Sequence, residues 1–181
     1  MNFASTVWNP KGPPEKGGPV GFTWDNNLRP VTDKDNHFKL IEFTPDGSPK
    51  ALQLVKENWT VQAGPIIPVF VCYAAWDKLR DGGDKPREGL MKGFTLTKRG
   101  NPWFTGDRAI LVFITTAQVH TLAHELAHWF GFTHADAKDA PGNVGQEGGG
   151  GTHLLDEQYH AMMRWANQAD FRNRLNRVKV E

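Results

Sequence analysis

Short apolar runs, separated by proline, glycine and charged residues, occupy the middle of the chain. Residues 37–43 alternate between apolar and polar well enough for a strand, and Pro45-Asp46-Gly47 should end it in a turn. Residues 50–59 have the apolar spacing of a short helix, and residues 66–73 predict a second strand. Residues 79–106 mix charge, glycine and proline, and predict loops around a hairpin near residues 93–97.

The clearest strand signal is the apolar, β-branched run at residues 109–115. A helix should follow at once, with Thr115 as its N-cap and Gln118 completing a capping box. The helix should end near Phe130, because Gly131 can adopt the left-handed conformation that terminates helices.

The two ends of the chain and its glycine-rich segment complete the predicted organisation. Residues 1–30 are rich in proline and glycine and predict an extended arm beside a single domain at residues 31–181. Residues 135–152 predict a long flexible loop, which would serve either as a mobile flap or as a spacer. A last helix should begin near residue 153 and bury an apolar face that includes Met162. We therefore expect an α+β fold, with a mixed β-sheet, one helix packed on it and a C-terminal helix behind.

Composition and charge exclude several classes of protein. A chain of 181 residues with 39% hydrophobic and 23% charged residues can bury one proper core. The net charge of +1 argues against nucleic acid as a partner. Cys72 is the one cysteine, so an intrachain disulfide is impossible, and its apolar neighbours predict a buried thiol.

The sequence contains neither a membrane-span signal nor a signal-peptide pattern. No stretch approaches the ~18 apolar residues that a membrane span needs, and the first residues lack a charged region followed by an apolar one. We expect a protein that is cytoplasmic in its producer or exported by a non-classical route.

The predicted helix at residues 118–130 has two chemically different faces. At ~100° per residue, His120, His124 and His128 fall on one face. The opposite face is apolar and comprises Val119, Leu122, Ala123, Leu126 and Phe130. One face is therefore suited to a core, while the other presents imidazoles.

The imidazole spacing predicts a zinc site. His124 and His128 stand ~6 Å apart along the helix axis, so both can reach one zinc ion at ~2.0–2.1 Å. Glu125 is turned ~100° from His124, so it can stand beside the metal without binding it. From there it can take a proton from a water that the metal acidifies and pass it to the leaving amine. Gly131 permits a sharp turn, after which His134 can return as the third ligand.

The residues from His124 to His134 match the zinc signature H-E-x-x-H-x-x-G-x-x-H, and here the chain resembles the metzincin clan of metallopeptidases. The resemblance covers these residues and the preceding strand. It implies a zincin-like fold, three histidine ligands, Glu125 as general base and a strand before the helix that aligns the peptide substrate. Metzincins also have a methionine in a tight turn beneath the zinc, whereas Met162 and Met163 lie in a predicted helix.

A second resemblance competes for the third ligand. The segment from Gly151 to Tyr159 is similar to the Gly-Thr-x-x-Asp-x-x-Tyr pattern of aspzincins, with one residue more. That resemblance implies Asp156 as the ligand in place of His134. An arrangement like that of gluzincins would use Glu157 instead.

The expected reaction is hydrolysis of a peptide bond within a peptide or protein substrate by a zinc endopeptidase. Tyr159 is the preferred candidate to hydrogen-bond the developing oxyanion, with His153 and His160 as weaker alternatives. His120 is expected to support the ligands or to lie partly exposed. A non-catalytic zinc-binding module and a cytosolic housekeeping peptidase are the alternatives.

The architecture also suggests a biological role. A small peptidase without disulfides, with a Pro/Gly-rich arm and without a signal peptide, resembles the effector domains that bacteria attach to secretion spikes such as the type VI apparatus. The resemblance implies an antibacterial toxin that is fused to, or loaded on, that apparatus.

Overall fold

A computed structural model describes residues 29–31, 33, 37–44, 47–59, 67–78, 89–96, 109–147 and 150–164. Within these ranges the chain is α+β, with helices and two small mixed sheets, which confirms the expected class. The predicted arm falls outside the described residues apart from positions 29 and 30, and the end of the last predicted helix lies outside them as well. Among the described residues, no helix has the length and apolar character needed to cross a bilayer.

Two sheets are built from the strands in the described part of the chain. The strands are β1 (Leu40–Phe43), β2 (Val69–Cys72), β3 (Ala74–Asp77), β4 (Gly89–Leu90), β5 (Gly93–Leu96) and β6 (Ala109–Phe113). In the first sheet β3 lies between β1, which is parallel to it, and β4, which is antiparallel. In the second sheet β6 lies between the parallel β2 and the antiparallel β5.

A bend at Tyr73 explains why two sheets stand where the sequence predicted one. It separates β2 from β3, so the chain pairs with β6 before the bend and with β1 after it. A second bend at Lys92 divides β4 from β5 in the same way. Residues 93–96 therefore pair with β6, and this antiparallel pairing with the next described strand is consistent with the hairpin expected near residues 93–97; residues 97–108, which join the two strands, lie outside the described residues.

Helix α1 (Pro49–Asn58) agrees closely with the helix predicted at residues 50–59. Ser48 caps it by accepting a hydrogen bond from the Ala51 amide, and a proline at the first helical position suits the unpaired first turn. Gly47 has a φ of 115° in the turn before it, a left-handed conformation that glycine tolerates without strain. The described residues contain two further α-helices, α2 (Thr121–Trp129) and α3 (residues 156–164).

Side chains of β6 point alternately into two hydrophobic clusters, as the period of a strand requires. Ala109, Leu111 and Phe113 pack in the cluster under α1. Ile110 packs in the other cluster, under α2, where Met162 is fully buried as predicted. The strand therefore carries α1 on one side and α2 on the other.

Cys72 is buried in the cluster under α1, which confirms the prediction made from its apolar neighbours. Burial raises the pKa of its thiol to about 12. A protonated thiol in this position behaves as a small apolar side chain.

The predicted start of the helix that carries His124 and His128 is wrong. The Thr115 amide donates to the Tyr73 carbonyl at 3.2 Å, so Thr115 extends the strand ladder instead of capping a helix. The helix begins at Thr121, whose hydroxyl oxygen accepts from the Gln118 amide at 2.8 Å. Val119 therefore precedes the helix, and its side chain is 75% exposed rather than part of the apolar face.

The glycine-rich segment expected to be a flap or a spacer has a defined structure wherever it is described. Its first residues belong to a 3-10 helix, His134–Ala137. Further on, Asn143 and Val144 are buried, and the Val144 amide donates to the His153 carbonyl at 2.9 Å. These residues do not act as a spacer, because Val144 belongs to the cluster under α2.

Candidate metal centre

Helix α2 presents His124 and His128 one turn apart on the side that faces away from the cluster beneath it. Its apolar side, with Ala123 and Leu126, packs into that cluster, and the helix lies against β5 and β6. This confirms the division into an apolar face and an imidazole face for the residues within the helix. His124 is 9% exposed, so its ring is held among packed neighbours.

Gly131 ends α2 in the way the sequence predicted. Its φ of 95° is left-handed, which a glycine adopts without strain. Its amide donates to the His128 carbonyl at 2.9 Å, and the Phe132 amide donates to the Ala127 carbonyl at 3.1 Å. These two bonds form a Schellman motif, which satisfies the last helical carbonyls and turns the chain back.

A short turn then brings His134 back to the helix. The Asp136 carboxylate accepts from the Thr133 amide at 2.6 Å and from the Thr133 hydroxyl at 2.8 Å. This pair fixes the start of the 3-10 helix, where His134 is the first residue. Sequence reasoning missed Asp136, although Thr133-x-x-Asp136 matches the helix-start pattern of a threonine followed three residues later by an acid.

The three predicted histidine ligands come together. The Nε2 atom of His124 lies 3.1 Å from that of His128 and 3.1 Å from that of His134, and the last two are 3.2 Å apart. These histidines form a group that could hold a metal ion. Asp156 and Glu157 are exposed on α3 and do not belong to this group, so the described residues favour His134 as the third ligand.

Hydrogen bonds on the far side of the rings fix the protonation of two imidazoles. The Nδ1 atom of His124 lies 2.8 Å from the Val144 carbonyl, and that of His128 lies 2.7 Å from the Phe132 carbonyl. A carbonyl oxygen can only accept, so each Nδ1 carries a proton, and in the neutral form of the ring each Nε2 then carries a lone pair. Lone pairs at such short separations repel one another, and a cation between them would remove the repulsion. The residues therefore fit a metal ion.

The buried position of His124 favours its neutral form. Burial, with a further contribution from neighbouring His128, lowers the pKa of His124 to about 4. A neutral imidazole is the form that binds metals. His120 is partly exposed just before the helix, in agreement with one of its two expected roles, and burial lowers its pKa as well.

A buried amide pair holds the loop that supports His124. The side chains of Asn143 and Gln158 exchange two hydrogen bonds, at 2.7 and 3.0 Å. Asn143 also donates to the His153 carbonyl at 3.0 Å, and Gln158 also accepts from the Leu155 amide at 2.9 Å. The pair ties the start of α3 to the residue before Val144, whose carbonyl orients the His124 ring.

Glu125 is 5% exposed, and its side chain lies on the side of α2 that packs against β5. The Thr95 hydroxyl lies 2.6 Å from its Oε2 atom and 2.8 Å from its backbone carbonyl oxygen. Burial raises the pKa of the Glu125 carboxyl, while nearby His128 and the bond from Thr95 act in the opposite direction. At Gly93, two residues before Thr95, an added Cβ would lie 2.8 Å from the Glu125 Cγ atom.

Sequence reasoning missed Thr95 and Gly93. It assigned residues 93–97 to a hairpin, and nothing local to either residue predicts a contact with a helix some thirty positions later. The helical wheel does turn Glu125 away from the histidines, but it does not say which strand faces it.

The candidates for the oxyanion donor lie on and before α3. Tyr159 is partly buried and packs against the cluster under α2, and its ring contacts that of His160 edge-on at 6.1 Å between centroids. The Nδ1 atom of His153 lies 3.2 Å from the Gly142 carbonyl. The assignment of Tyr159 to catalysis stays a prediction.

The strand expected to align a peptide is enclosed. β6, which precedes α2, has both edges paired, with β2 on one side and β5 on the other, so it has no free edge for another strand. Within the described residues β2 and β5 are the two outer strands of this sheet. An extended partner would have to pair with one of them, and β5 is the one that lies beside Glu125.

A scan against protein-family models and searches of curated proteins and of solved structures found no match to this chain.

Proposed function

We propose that the chain is a zinc-dependent peptidase that hydrolyses peptide bonds, as its resemblance to metzincins implies. His124, His128 and His134 bind the metal and Glu125 acts as general base. The observation that carries the proposal is the convergence of three imidazole nitrogens within 3.2 Å of one another. The buried carboxylate of Glu125 lies on the same helix as His124 and His128.

The spacing of the nitrogen atoms supports zinc as the metal. Zinc–nitrogen bonds of ~2.0–2.1 Å in a tetrahedral arrangement put neighbouring ligand atoms about 3.3–3.4 Å apart. The three Nε2 distances, 3.1, 3.1 and 3.2 Å, are a little shorter, so a small outward shift of each ring suffices.

The number of ligands favours catalysis over a structural role. Structural zinc sites are closed by four protein ligands, whereas catalytic sites have three and keep one position open. Among the described residues the group consists of three histidines, and His134 is exposed, so solvent and substrate can approach from its side. This supports a catalytic site over the alternative of a non-catalytic zinc-binding module.

A bound zinc ion would acidify a water molecule and polarise the scissile carbonyl. Glu125 would accept the proton of that water and deliver it to the leaving nitrogen as the peptide bond breaks. Because burial raises the pKa of the Glu125 carboxyl, the carboxylate is a stronger base than one in free solution. Tyr159 remains the candidate donor to the developing oxyanion.

The substrate that suits this arrangement is an extended stretch of polypeptide. A peptide can add to an open sheet edge through main-chain hydrogen bonds. Of the two outer strands in the described part of this sheet, β5 carries Gly93 and Thr95 next to Glu125, so a peptide paired with β5 would pass beside the general base. This favours cleavage within a chain rather than at its end.

The proposal is tested with the Glu125→Gln variant of the zinc-loaded protein. We expect it to retain zinc, because Glu125 is not a ligand, and to lose ~10²-fold or more of its activity on unfolded casein. Glu57→Gln, on the exposed side of α1, is the matched control and should cleave at the wild-type rate. Equal cleavage by wild type and Glu125→Gln would refute the assignment of the base, and absence of cleavage by the zinc-loaded wild type would refute the proposed activity.

A further inference from the structure

The contact between Thr95 and Glu125 joins strand β5 to the residue assigned as general base. Thr95 is 7% exposed, and its hydroxyl lies between two oxygen atoms of the same residue. One is the carboxylate oxygen Oε2 at 2.6 Å, and the other is the backbone carbonyl oxygen at 2.8 Å. The hydroxyl is thereby within hydrogen-bond distance of both the side chain and the backbone of Glu125.

We propose that Thr95 is a positioning residue for the reaction: it holds Glu125 by Oε2 and leaves Oε1 to exchange the proton with water and the leaving group. The inference rests on the proposed function, because a general base must exist for Thr95 to position it.

The division of roles between the two carboxylate oxygens follows from hydrogen-bond chemistry. Oε2 accepts from the Thr95 hydroxyl when the carboxylate is ionised. When Oε1 has taken a proton from water, Oε2 is the carbonyl oxygen of the neutral acid and still accepts. The Thr95 bond is thus retained through both proton transfers, and the carboxyl group does not need to rotate between them.

The surroundings of Oε1 confine the carboxylate from the other side. The β5 backbone passes so close at Gly93 that a Cβ there would lie 2.8 Å from both Oε1 and Cγ of Glu125. Thr121 also approaches this point with its methyl group. Since β5 is hydrogen-bonded along β6, Thr95 and Gly93 are carried on a fixed frame rather than on a loop.

A purely structural role for Thr95, fastening β5 to α2 through the Glu125 carbonyl, makes different predictions. If Thr95 had only that role, loss of its hydroxyl would lower stability and zinc content together, and it would not lower kcat selectively with KM unchanged. Replacing Thr95 by valine removes the hydroxyl and preserves the shape, whereas replacing it by serine preserves the hydroxyl and removes a methyl group.

The first measurement is steady-state cleavage of a fluorescence-quenched casein substrate by zinc-loaded protein. In Thr95→Val we expect kcat to fall between ~10-fold and ~10²-fold, with zinc content unchanged, because misplacement of a catalytic group by about 1 Å has effects of this size. KM should change by no more than about twofold. Thr95→Ser should restore most of kcat.

The matched control is Thr44→Val, which removes a hydroxyl that donates to the Gly47 carbonyl in the turn before α1. It should leave both kcat and KM unchanged. A similar loss of kcat in Thr44→Val and Thr95→Val would overturn the inference.

The second measurement needs neither metal nor substrate. Thermal unfolding of the metal-free protein is compared for Thr95→Val, Glu125→Met and the double variant. If the two side chains bond each other, the shift in Tm of the double variant will be smaller than the sum of the single shifts. Additive shifts would show that the contact does not exist and would overturn the inference.

The outcomes separate the inference from the function on which it rests. If the wild type cleaves casein and Glu125→Gln does not, but Thr95→Val retains full kcat, only the inference fails. It also fails if Thr95→Ser is as impaired as Thr95→Val, or if zinc is lost with the hydroxyl. If the zinc-loaded wild type cleaves nothing, the proposed function fails and the inference fails with it.

Discussion

Replacing Gly93 by alanine should damage both stability and activity, because the new methyl group has no space. Its carbon would lie 2.8 Å from Cγ and Oε1 of Glu125 and 2.9 Å from the Thr121 methyl carbon. Carbon atoms in contact normally stand ~3.5–4.0 Å apart, so the neighbours must move by about 1 Å. Neither can move freely, because Glu125 is 5% exposed and Thr121 is 3% exposed.

The size of the effect follows from two opposing terms. Overpacking of this kind costs ~1–3 kcal/mol, while replacing a glycine by alanine recovers ~0.4–1 kcal/mol from the unfolded chain. We therefore expect the free energy of unfolding to fall by about 1–2 kcal/mol. Displacement of the Glu125 carboxylate should also reduce kcat, by up to ~10²-fold.

Gly89→Ala is the matched control, since a Cβ at Gly89 meets no atom within 4 Å and neither glycine has a positive φ. It should be as stable as the wild type or slightly more stable, with unchanged kcat. Urea unfolding of the metal-free proteins and casein cleavage by the zinc-loaded proteins measure the two effects. If Gly93→Ala matches Gly89→Ala in both assays, β5 does not pack on Glu125 and the account of the site is wrong.

Two further predictions concern groups outside the metal centre. Gln158→Met removes half of the buried amide pair and should lower the free energy of unfolding, measured in urea, by ~1–3 kcal/mol, because the Leu155 amide and the Asn143 side chain lose a partner. Gln53→Met, at an exposed position, serves as the control. An equal loss of stability in both variants would contradict the role of the pair. Burial raises the pKa of Cys72 to about 12 in the folded protein, against 9.0 for an ordinary thiol, so the contribution of Cys72 to the free energy of unfolding should fall as the pH rises from 9.0 towards 12. At pH 8 the thiol reagent DTNB should label Cys72 only in urea, and rapid labelling of the folded protein would contradict its burial.

The parts of the fold that sequence reasoning predicted correctly depend on local signals. The apolar run of β6 suits only a buried strand, and Gly131 is the residue type that ends a helix in a left-handed conformation. The candidate ligands His124 and His128 are related by helical periodicity, which spacing alone specifies. His134 follows from the same glycine, because the turn after α2 is short.

The parts that were missed depend on contacts between distant segments. Thr115 fails to cap the helix because its amide pairs with Tyr73, a partner that no local pattern predicts. In the same way, the Thr95 bond to Glu125 depends on the register between β5 and β6. The loop after α2 was predicted to be a flexible flap or spacer because glycines favour backbone flexibility. Val144 is nevertheless buried, and its carbonyl orients His124.

The link to a secretion apparatus stays a prediction. It rests on the Pro/Gly-rich arm, which lies almost wholly outside the described residues. If the protein is an antibacterial effector, expression in the bacterial periplasm should be toxic and expression in the cytosol should not. Equal growth in both cases would argue for a housekeeping peptidase.

The most direct test of the central claim is the zinc content of three purified proteins after equilibrium dialysis: the wild type, His134→Ala and Asp156→Ala. If three converging imidazoles form the site, the wild type and Asp156→Ala will each hold one zinc ion per chain, and His134→Ala will lose most of it. A wild type without zinc, or an Asp156→Ala variant that loses the metal while His134→Ala retains it, would contradict the account.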